Sequence, residues 1–194
     1  MSNEKEKVTI LTGNSGKLYE FQNIVGKKIN IINNPTDVDE IQSIYVSEVI
    51  KDKLDRAINI VNGPCLVDDS GLHIYGDMNG FPGALIKFYY KCLGNEGICK
   101  KHGGLDATAV TGIGYYDGTN KHYFLGKRKG KIALQPQCGE SGWGWDPIFI
   151  PEIEGEDNQL SYAEIGDEKK NEISQRRVAL NLLLKHFMKG NDNQ

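Results

Sequence analysis

The run Val8-Thr9-Ile10-Leu11-Thr12-Gly13-Asn14-Ser15-Gly16-Lys17 constrains the fold more than any other stretch. A short apolar segment stops at a small, polar, Gly-containing turn, and a helical pattern starts at once. Leu18, Phe21, Ile24 and Val25 share one face, with Lys17, Glu20 and Asn23 off it. Strand, tight turn and helix N-terminus in that order make an anion site, because the free N–H groups of the first helical turn and the positive end of the helix dipole point into the turn. Lys17 adds a full charge there, and the natural guest is a phosphate. The spacing is not that of a P-loop, which has four residues between its first Gly and a Gly-Lys followed by Ser or Thr. The dinucleotide pattern G-x-G-x-x-G is absent too. From this segment alone, an ordinary strand-to-helix connection with a surface lysine stays equally open.

The rest of the chain reads as alternating elements. Val46, Val49, Ile50, Leu54, Ala57, Ile58 and Val61 form a helical stripe over 46–61, ended by Gly63-Pro64. Cys65-Leu66-Val67 is a short buried strand that Asp68-Asp69-Ser70-Gly71 closes. Pro82, at a first-turn position, opens a helix over Gly83–Leu93. Ala107–Tyr115 and Tyr123–Leu134 are strands with the turn Asp117-Gly118 between them. The acidic stretch Glu152–Asp157 is a solvated loop. A last helix, Ser174–Phe187, packs through Leu180, Leu183, Leu184 and Phe187, with Ser174 as its N-cap. Crossover units together with a hairpin predict an α/β fold with a mixed sheet. The chain has 194 residues, which suits a single domain, 1–194, of one core or two lobes sharing it, with tails at about 1–7 and 189–194.

Composition excludes several classes. The net charge of −3 supplies no basic field for nucleic acid. No apolar run approaches the roughly 18–20 residues of a membrane span, and the polar start Met1–Lys7 holds no apolar signal core, so the cytosol is expected. Cys65, Cys92, Cys99 and Cys138 form no C-x-x-C pair and read as free thiols. His73, His102, His122 and His186 are too dispersed in sequence to suggest a zinc site.

Several residues break their local pattern. Asp68 and Asp69 sit at an apolar strand end, where α/β sheets gather ligands, and adjacent carboxylates call for a nearby cation. Successive strand residues point to opposite faces, so one can face a cleft while the other braces a turn; an Asx turn with Gly71 at positive φ is the alternative. Lys53 lies inside the apolar stripe, and its ammonium either snorkels to water or meets an anion. Lys87 and Glu40, taken alone, are a surface lysine and a loop acid. Lys127-Arg128-Lys129 with Lys131 reads as charge that guards an exposed strand. In Ser141-Gly142-Trp143-Gly144-Trp145-Asp146-Pro147 the glycines allow close approach to a flat group and the tryptophans offer stacking faces, or the segment is a turn with two core aromatics. Lys170-Asn171 and Arg176-Arg177 oppose the dipole at the start of the last helix, so they need another partner.

Taken in order, Thr12-Gly-Asn-Ser-Gly-Lys17 with Glu20, Asp68-Asp69-Ser70-Gly71-Leu72, Phe81-Pro82-Gly83 with Lys87, Gly144-Trp145-Asp146-Pro147, Tyr162-Ala163-Glu164, and Lys170-Asn171 with Ser174 and Arg176 resemble the inosine triphosphate pyrophosphatase (HAM1-like) family over about residues 8–187. The resemblance implies an α/β protein with an elongated mixed β-sheet flanked by helices, two lobes with the active cleft between them, a homodimer, and a need for Mg2+, with Mn2+ as a substitute. It implies hydrolysis of ITP, dITP and XTP to the monophosphate and pyrophosphate. Thr12, Gly13, Asn14, Ser15, Gly16 and Lys17 would hold the triphosphate, and Lys53 and Lys87 would meet phosphate oxygens. Glu40 and Asp69 would bind metal, and Asp69, with Lys17 and Glu20, would carry the catalysis. Ser70 would touch the ligand. Trp143 would stack on the base, Gly144, Trp145 and Asp146 would complete that wall, and Lys170, Gln175 and Arg176 would reach the base edge.

One position departs from the family. It usually has Ser-His-Arg where this chain has Ser174-Gln175-Arg176. A Gln amide carries both a donor and an acceptor, so it can serve a 6-keto or a 6-amino purine and is expected to narrow the margin against ATP. Two other functions remain to be weighed: a related septum-inhibitor-like nucleotide pyrophosphatase, which the ordered purine-type motifs disfavour, and a non-catalytic nucleotide sensor, which could have discarded Asp69 and Glu40.

Overall fold

A computed structural model describes residues 7–26, 29–139 and 142–191. Its elements in chain order are β1 (Lys7–Leu11), α1 (Ser15–Val25), β2 (Asn30–Asn34), α2 (Val46–Ile58), β3 (Cys65–Ile74), β4 (Pro82–Gly83), α3 (Ile86–His102), β5 (Asp106–Tyr116), β6 (Lys121–Ile132), β7 (Phe149–Pro151), α4 (Tyr162–Ile173) and α5 (Gln175–Asn191). The strands form one mixed sheet in the order β2-β1-β3-β5-β6-β7, with β4 beside β3. β2, β1 and β3 run parallel, and every other pairing is antiparallel. Of the expected tails, 1–6 and 192–194 lie outside the described residues, as does Ser141; Lys7 already belongs to β1 and 189–191 to α5.

Three expectations fail for identifiable reasons. β3 does not stop at Val67. It runs ten residues, because β5 pairs with all of it, from Cys65↔Tyr116 to Ile74↔Ala107. Asp68, Asp69 and Ser70 are therefore strand residues, and Gly71 is absent from the positive-φ glycines, so the Asx turn is ruled out. Pro82 does not start a helix. It follows a cis peptide and pairs with His73 as part of β4. The helix begins at Ile86 and continues to His102, across a break in helical geometry at Gly94. Third, Lys170 and Asn171 lie on a separate helix, α4, which begins with a capping box: the Ser161 hydroxyl accepts from the Glu164 N–H, and the Glu164 carboxylate from the Ser161 N–H.

The face of the sheet that carries even-numbered β3 residues and odd-numbered β5 residues holds two separate apolar cores. One gathers Val8, Ile10, Leu66, Ile113 and Tyr115 under α1 and α5, through Phe21, Ile24, Leu180 and Leu183. The other gathers Leu72, Ile74, Ala107, Ala109 and Ile132 with Ile86 and Ile98 of α3, Phe149 and Tyr162. Between them the same strands present Asp68, Ser70 and Thr111, all pointing to that face. The Ser70 and Thr111 hydroxyls lie 2.7 Å apart. The opposite face is covered by α2, whose Leu54 and Ala57 pack on Cys65 and Val67. Close approach of α2 depends on Gly112, where a Cβ would sit 2.7 Å from Ile50. The polar belt between the cores positions the site.

Candidate active site

β3 has a neighbour along only part of one edge. β1 pairs with it at Cys65 and Leu66, and β4 pairs at Leu72 and His73. Between these, over Val67–Gly71, β3 is paired to β5 alone among the described residues. Two lysines fill the break. Lys17 Nζ, from the first turn of α1, donates to the Asp68 carbonyl oxygen at 3.4 Å, and Lys53 Nζ, from α2 on the other face, donates to the same oxygen at 3.2 Å. Lys17 also lies 3.4 Å from the Asp68 carboxylate and 3.8 Å from that of Asp69. Lys53 pairs with Glu40 at 2.5 Å. The lysine inside the apolar stripe is thus buried beside carboxylates and a carbonyl, and it does not snorkel.

The turn before α1 is organised by its own side chains. Asn14 Oδ1 caps the helix by accepting from Lys17 N, and Thr12 Oγ1 accepts from Asn14 N. Gly13, Asn14 and Ser15 are exposed, and the first N–H groups of a helix have no intrahelical acceptor.

On the other side of Asp68 lies a closed set of charges. Glu20, expected off the apolar face, is buried at 4% exposure. It accepts from Lys170 Nζ at 2.5 Å, from Arg176 Nη1, and from the Trp143 indole N–H at 3.0 Å. Arg176 Nη2 donates to Asp68 Oδ2 at 3.1 Å and to Ser70 Oγ at 3.0 Å. Lys170 also donates to Asp146 at 2.7 Å, and Asp146 accepts from Trp143 N. The Trp143 ring lies 5.4 Å from the Lys170 ammonium and 6.0 Å from the Arg176 guanidinium, within cation–π range. It also abuts Gly16, where a Cβ would come within 3.2 Å of the indole. The dipole-opposing cations of the C-terminal helices therefore find their partners on α1 and β3.

Most of the expected residues converge, and some do not. Thr12 to Lys17, Glu20, Glu40, Lys53, Asp69, Ser70, Trp143, Asp146, Lys170 and Arg176 are linked by the contacts above. Trp145 turns into the second core, with ring centroids 5.8 Å from Phe149 and 6.3 Å from Tyr162, so it takes the core place that Trp143 does not. Gly144 accepts from Asn95 through its carbonyl. Lys87 is exposed near the start of α3. Gln175 is buried, and its Oε1 accepts from the Tyr162 hydroxyl at 2.9 Å, so that acceptor is already engaged. Tyr162, quoted above only within a family motif, and Thr111, which the sequence did not single out, are members of the site's framework. The Ser161-x-x-Glu164 capping signal marks the helix carrying the first; Thr111 has no local signal. Arg128, expected in an exposed strip, instead points inward and donates to the Ile173 carbonyl at 2.8 Å.

The two adjacent aspartates differ in protonation. Burial pushes up the Asp68 carboxyl, but Lys17, Arg176 and Lys53 outweigh it and hold it at about 2. Burial pushes Asp69 up to about 6, and Glu40 and Asp68 add to this against the pull of Lys17 and Lys53. Adjacent carboxyls driven apart in this way provide one permanent anion and one group able to take a proton near neutrality. Burial raises Glu20 as well, yet Arg176 and Lys170 bring it below its ordinary value. Asp146 is raised, chiefly by burial. Lys53 is disfavoured by burial, but Glu40 and Asp68 lift it above its ordinary value.

A strand–turn–helix connection, a belt of lysines and carboxylates in a strand-edge break, and an aromatic ring beside buried cations thus lie together on one α/β sheet. The family model of the Ham1 family matches residues 8–186. The chain is 38% identical over 178 residues to the inosine triphosphate pyrophosphatase of Emericella nidulans, covering 89% of this chain and 92% of that one. It is also 38% identical over 179 residues to the dITP/XTP pyrophosphatase of Methanopyrus kandleri, covering 90% and 92%. The solved structure of a HAM1 protein from Coxiella burnetii superposes with a TM-score of 0.76 at 27% identity, covering 94% of this chain and 98% of that one. The chain belongs to the Ham1 family.

Proposed function

We propose that this protein is a nucleoside triphosphate pyrophosphatase that hydrolyses non-standard purine nucleotides, ITP, dITP and XTP, to the monophosphate and pyrophosphate. The observation that carries the proposal is the strand-edge break, in which Lys17 and Lys53 meet beside an Asp69 whose carboxyl is poised near neutrality. The activities named for the relatives agree with it. A triphosphate bears about four negative charges that repel an incoming water, and preorganised cations offset that charge as it shifts onto the leaving pyrophosphate. Thr12, Asn14 and the free N–H groups of Ser15 and Gly16 receive phosphate oxygens, with Lys17 and Lys53. Asp69 accepts a hydrogen bond from the water and orients it. Glu20 positions the base-side cations, Lys170 and Arg176, and Trp143 offers its face to the purine. Donors there suit a 6-keto oxygen and penalise the 6-amino group of adenine.

The donor set fits Mg2+. Glu40 and Asp69 offer hard carboxylate oxygens. The Asp69 carboxylate lies 3.8 Å from Lys17, too far for a hydrogen bond, and Glu40 and Asp68 repel its charge. Mg2+ takes one or two carboxylates and completes its shell with water and substrate phosphates. Bound there, it would neutralise phosphate charge and lower the proton affinity of Asp69. We place the protein in the cytoplasm as a homodimer. In support, no helix among the described residues is long and apolar enough to cross a membrane, and β6 leaves Tyr123 and Leu125 exposed on one face. Sedimentation velocity measures the assembly. Incubation of purified protein with ITP and Mg2+, with products resolved by chromatography, tests the activity: IMP and pyrophosphate are expected, and IDP with orthophosphate as main products would overturn it.

A further inference from the structure

α3 is helical on either side of Gly94, whose φ of 64° and ψ of 174° leave the helix and suit glycine. The piece after the break is anchored. Ile98, Cys99 and His102 are buried, the first two in the second core. Asn95 is the first residue of that piece. Asparagine is a weak helix former, favoured near helix starts where its side-chain oxygen caps free N–H groups. Asn95 caps nothing. Its Oδ1 is buried without a hydrogen-bond partner among the described residues, and its Nδ2 leaves the helix and donates to the Gly144 carbonyl at 3.1 Å. The sense of the amide is fixed by that contact, because a carbonyl only accepts. A buried, unpaired acceptor is costly, so stability gives no reason for an asparagine here; an apolar side chain would avoid the cost.

The bond lands on a pivot. Gly144 has a φ of 63°, which strains any other residue, and it separates two tryptophans that go opposite ways. Trp145 enters the second core against Phe149 and Tyr162. The Trp143 indole N–H reaches Glu20 of α1, its ring abuts Gly16, and its backbone N–H donates to Asp146. Glu20 and Asp146 therefore hold one end of the turn, and Asn95 holds the peptide at its pivot from α3.

We propose that Asn95 is a positioning residue: by holding the Gly144 carbonyl it sets the turn so that the Trp143 ring stands against Gly16 and beside the Lys170 and Arg176 cations, tying α3 to the start of α1. The consequence for turnover rests on the purine nucleotide function proposed above; the hold on Trp143 does not. The Gly94 break serves the same end, since it starts a new helical piece at Asn95, whose side chain reaches a loop 49 residues further along the chain.

The test is Asn95→Leu in the full-length protein. Proton–nitrogen correlation spectra show the two tryptophan indole N–H groups separately, and the Trp143 signal is the one lost in Trp143→Phe. Hydrogen exchange of the Trp143 indole is expected to quicken by about tenfold, the scale of one hydrogen bond, while that of Trp145 holds. The urea midpoint should hold or rise, because the unpaired Oδ1 is gone. KM for ITP should rise by roughly three- to tenfold, with kcat within about twofold of the parent. An unmoved Trp143 indole overturns the proposal. So does an equal quickening of both indoles with a lower urea midpoint, which marks a merely structural role. In a parent that cleaves ITP, an unmoved KM overturns it as well. If the parent does not cleave ITP, the pyrophosphatase reading falls and the exchange rates alone decide the hold on Trp143. If Asn95→Leu fails to fold, Asn95→Asp decides. It keeps the shape, an acid suits the first turn of a helix, and a carboxylate facing the Gly144 carbonyl should free the Trp143 indole at least as far; an unchanged rate overturns the proposal.

Discussion

Lys17 and Lys53 come from helices on opposite faces of the sheet and donate to the same atom, the carbonyl oxygen of Asp68. Each lysine therefore has a second task, satisfying a backbone acceptor that lacks a neighbouring strand. The geometry presents two ammonium groups a few ångströms apart, which is unfavourable unless carboxylates surround them, and Asp68, Asp69 and Glu40 do so.

Lys53→Met tests this arrangement. It should lower kcat/KM for ITP by about 10²-fold, the scale for one lost preorganised donor to developing charge. Because Lys53 draws the Asp69 carboxyl downward, removing it should raise the Asp69 titration midpoint of the metal-free protein above its present value of about 6. Carboxyl-carbon NMR reads the midpoint, and an unmoved midpoint would contradict the ascribed electrostatics.

Asp69→Asn should cost at least ~10²-fold in turnover and yet stabilise the metal-free protein. The folded carboxyl titrates near 6, against about 3.9 in an unfolded chain. The folded state holds the extra proton between those values, so stability falls as pH rises from about 4 to 6, and the loss persists above. At full extent this is about 3 kcal/mol. Urea midpoints should show the variant ahead of the parent at pH 8 and level with it below pH 4. A parent as stable as the variant at pH 8 would show that Asp69 carries no such strain.

Glu20→Gln addresses the buried charges. Glu20 is the common partner of Lys170 and Arg176, all nearly inaccessible. The isosteric amide keeps shape but leaves two cations under-compensated, and breaking a buried pair by removing one partner costs about 3–5 kcal/mol. Chemical denaturation at pH 7.5 measures it. A cost under 1 kcal/mol would mean that Asp68 and Asp146 suffice.

Trp143 divides into a ring and an N–H. Trp143→Phe keeps an aromatic face but removes the hydrogen bond to Glu20 and should change KM for ITP by less than about tenfold, one hydrogen bond's worth. Trp143→Ala also removes the stacking face and should raise KM by a further ~1–3 kcal/mol equivalent. Equal effects of the two changes would remove stacking from the proposed function.

The elements legible in the sequence were those with a strong local signal. β1 and α1 follow from the apolar run and its turn, α2 from its stripe, and β5 and β6 from the Asp117-Gly118 turn, where Asp117 Oδ1 accepts from the Thr119 and Asn120 N–H groups. Lys53 stood out because a charge in an apolar stripe needs a reason. β3 was read short because Asp, Ser and Gly are turn formers by propensity; pairing with β5 overrode that preference, and the aspartates' charges are met by lysines and an arginine from elsewhere. The pairing of Glu20 with Arg176 spans 156 residues, and no local pattern announces such a partner. The Tyr162–Gln175 bond was hidden for a different reason: nothing in the sequence shows which end of an amide faces inward.

The break along β3 bears on association as well as on chemistry. An open strand edge with a bare carbonyl invites a strand from a neighbouring molecule, the first step of edge-to-edge aggregation. Here two lysine heads cap that edge, and like-charged heads repel a second edge presenting the same pattern. With Asp68 1% and Lys53 6% exposed, the break is closed to a second strand, and the groups assigned to phosphate are the ones that close it.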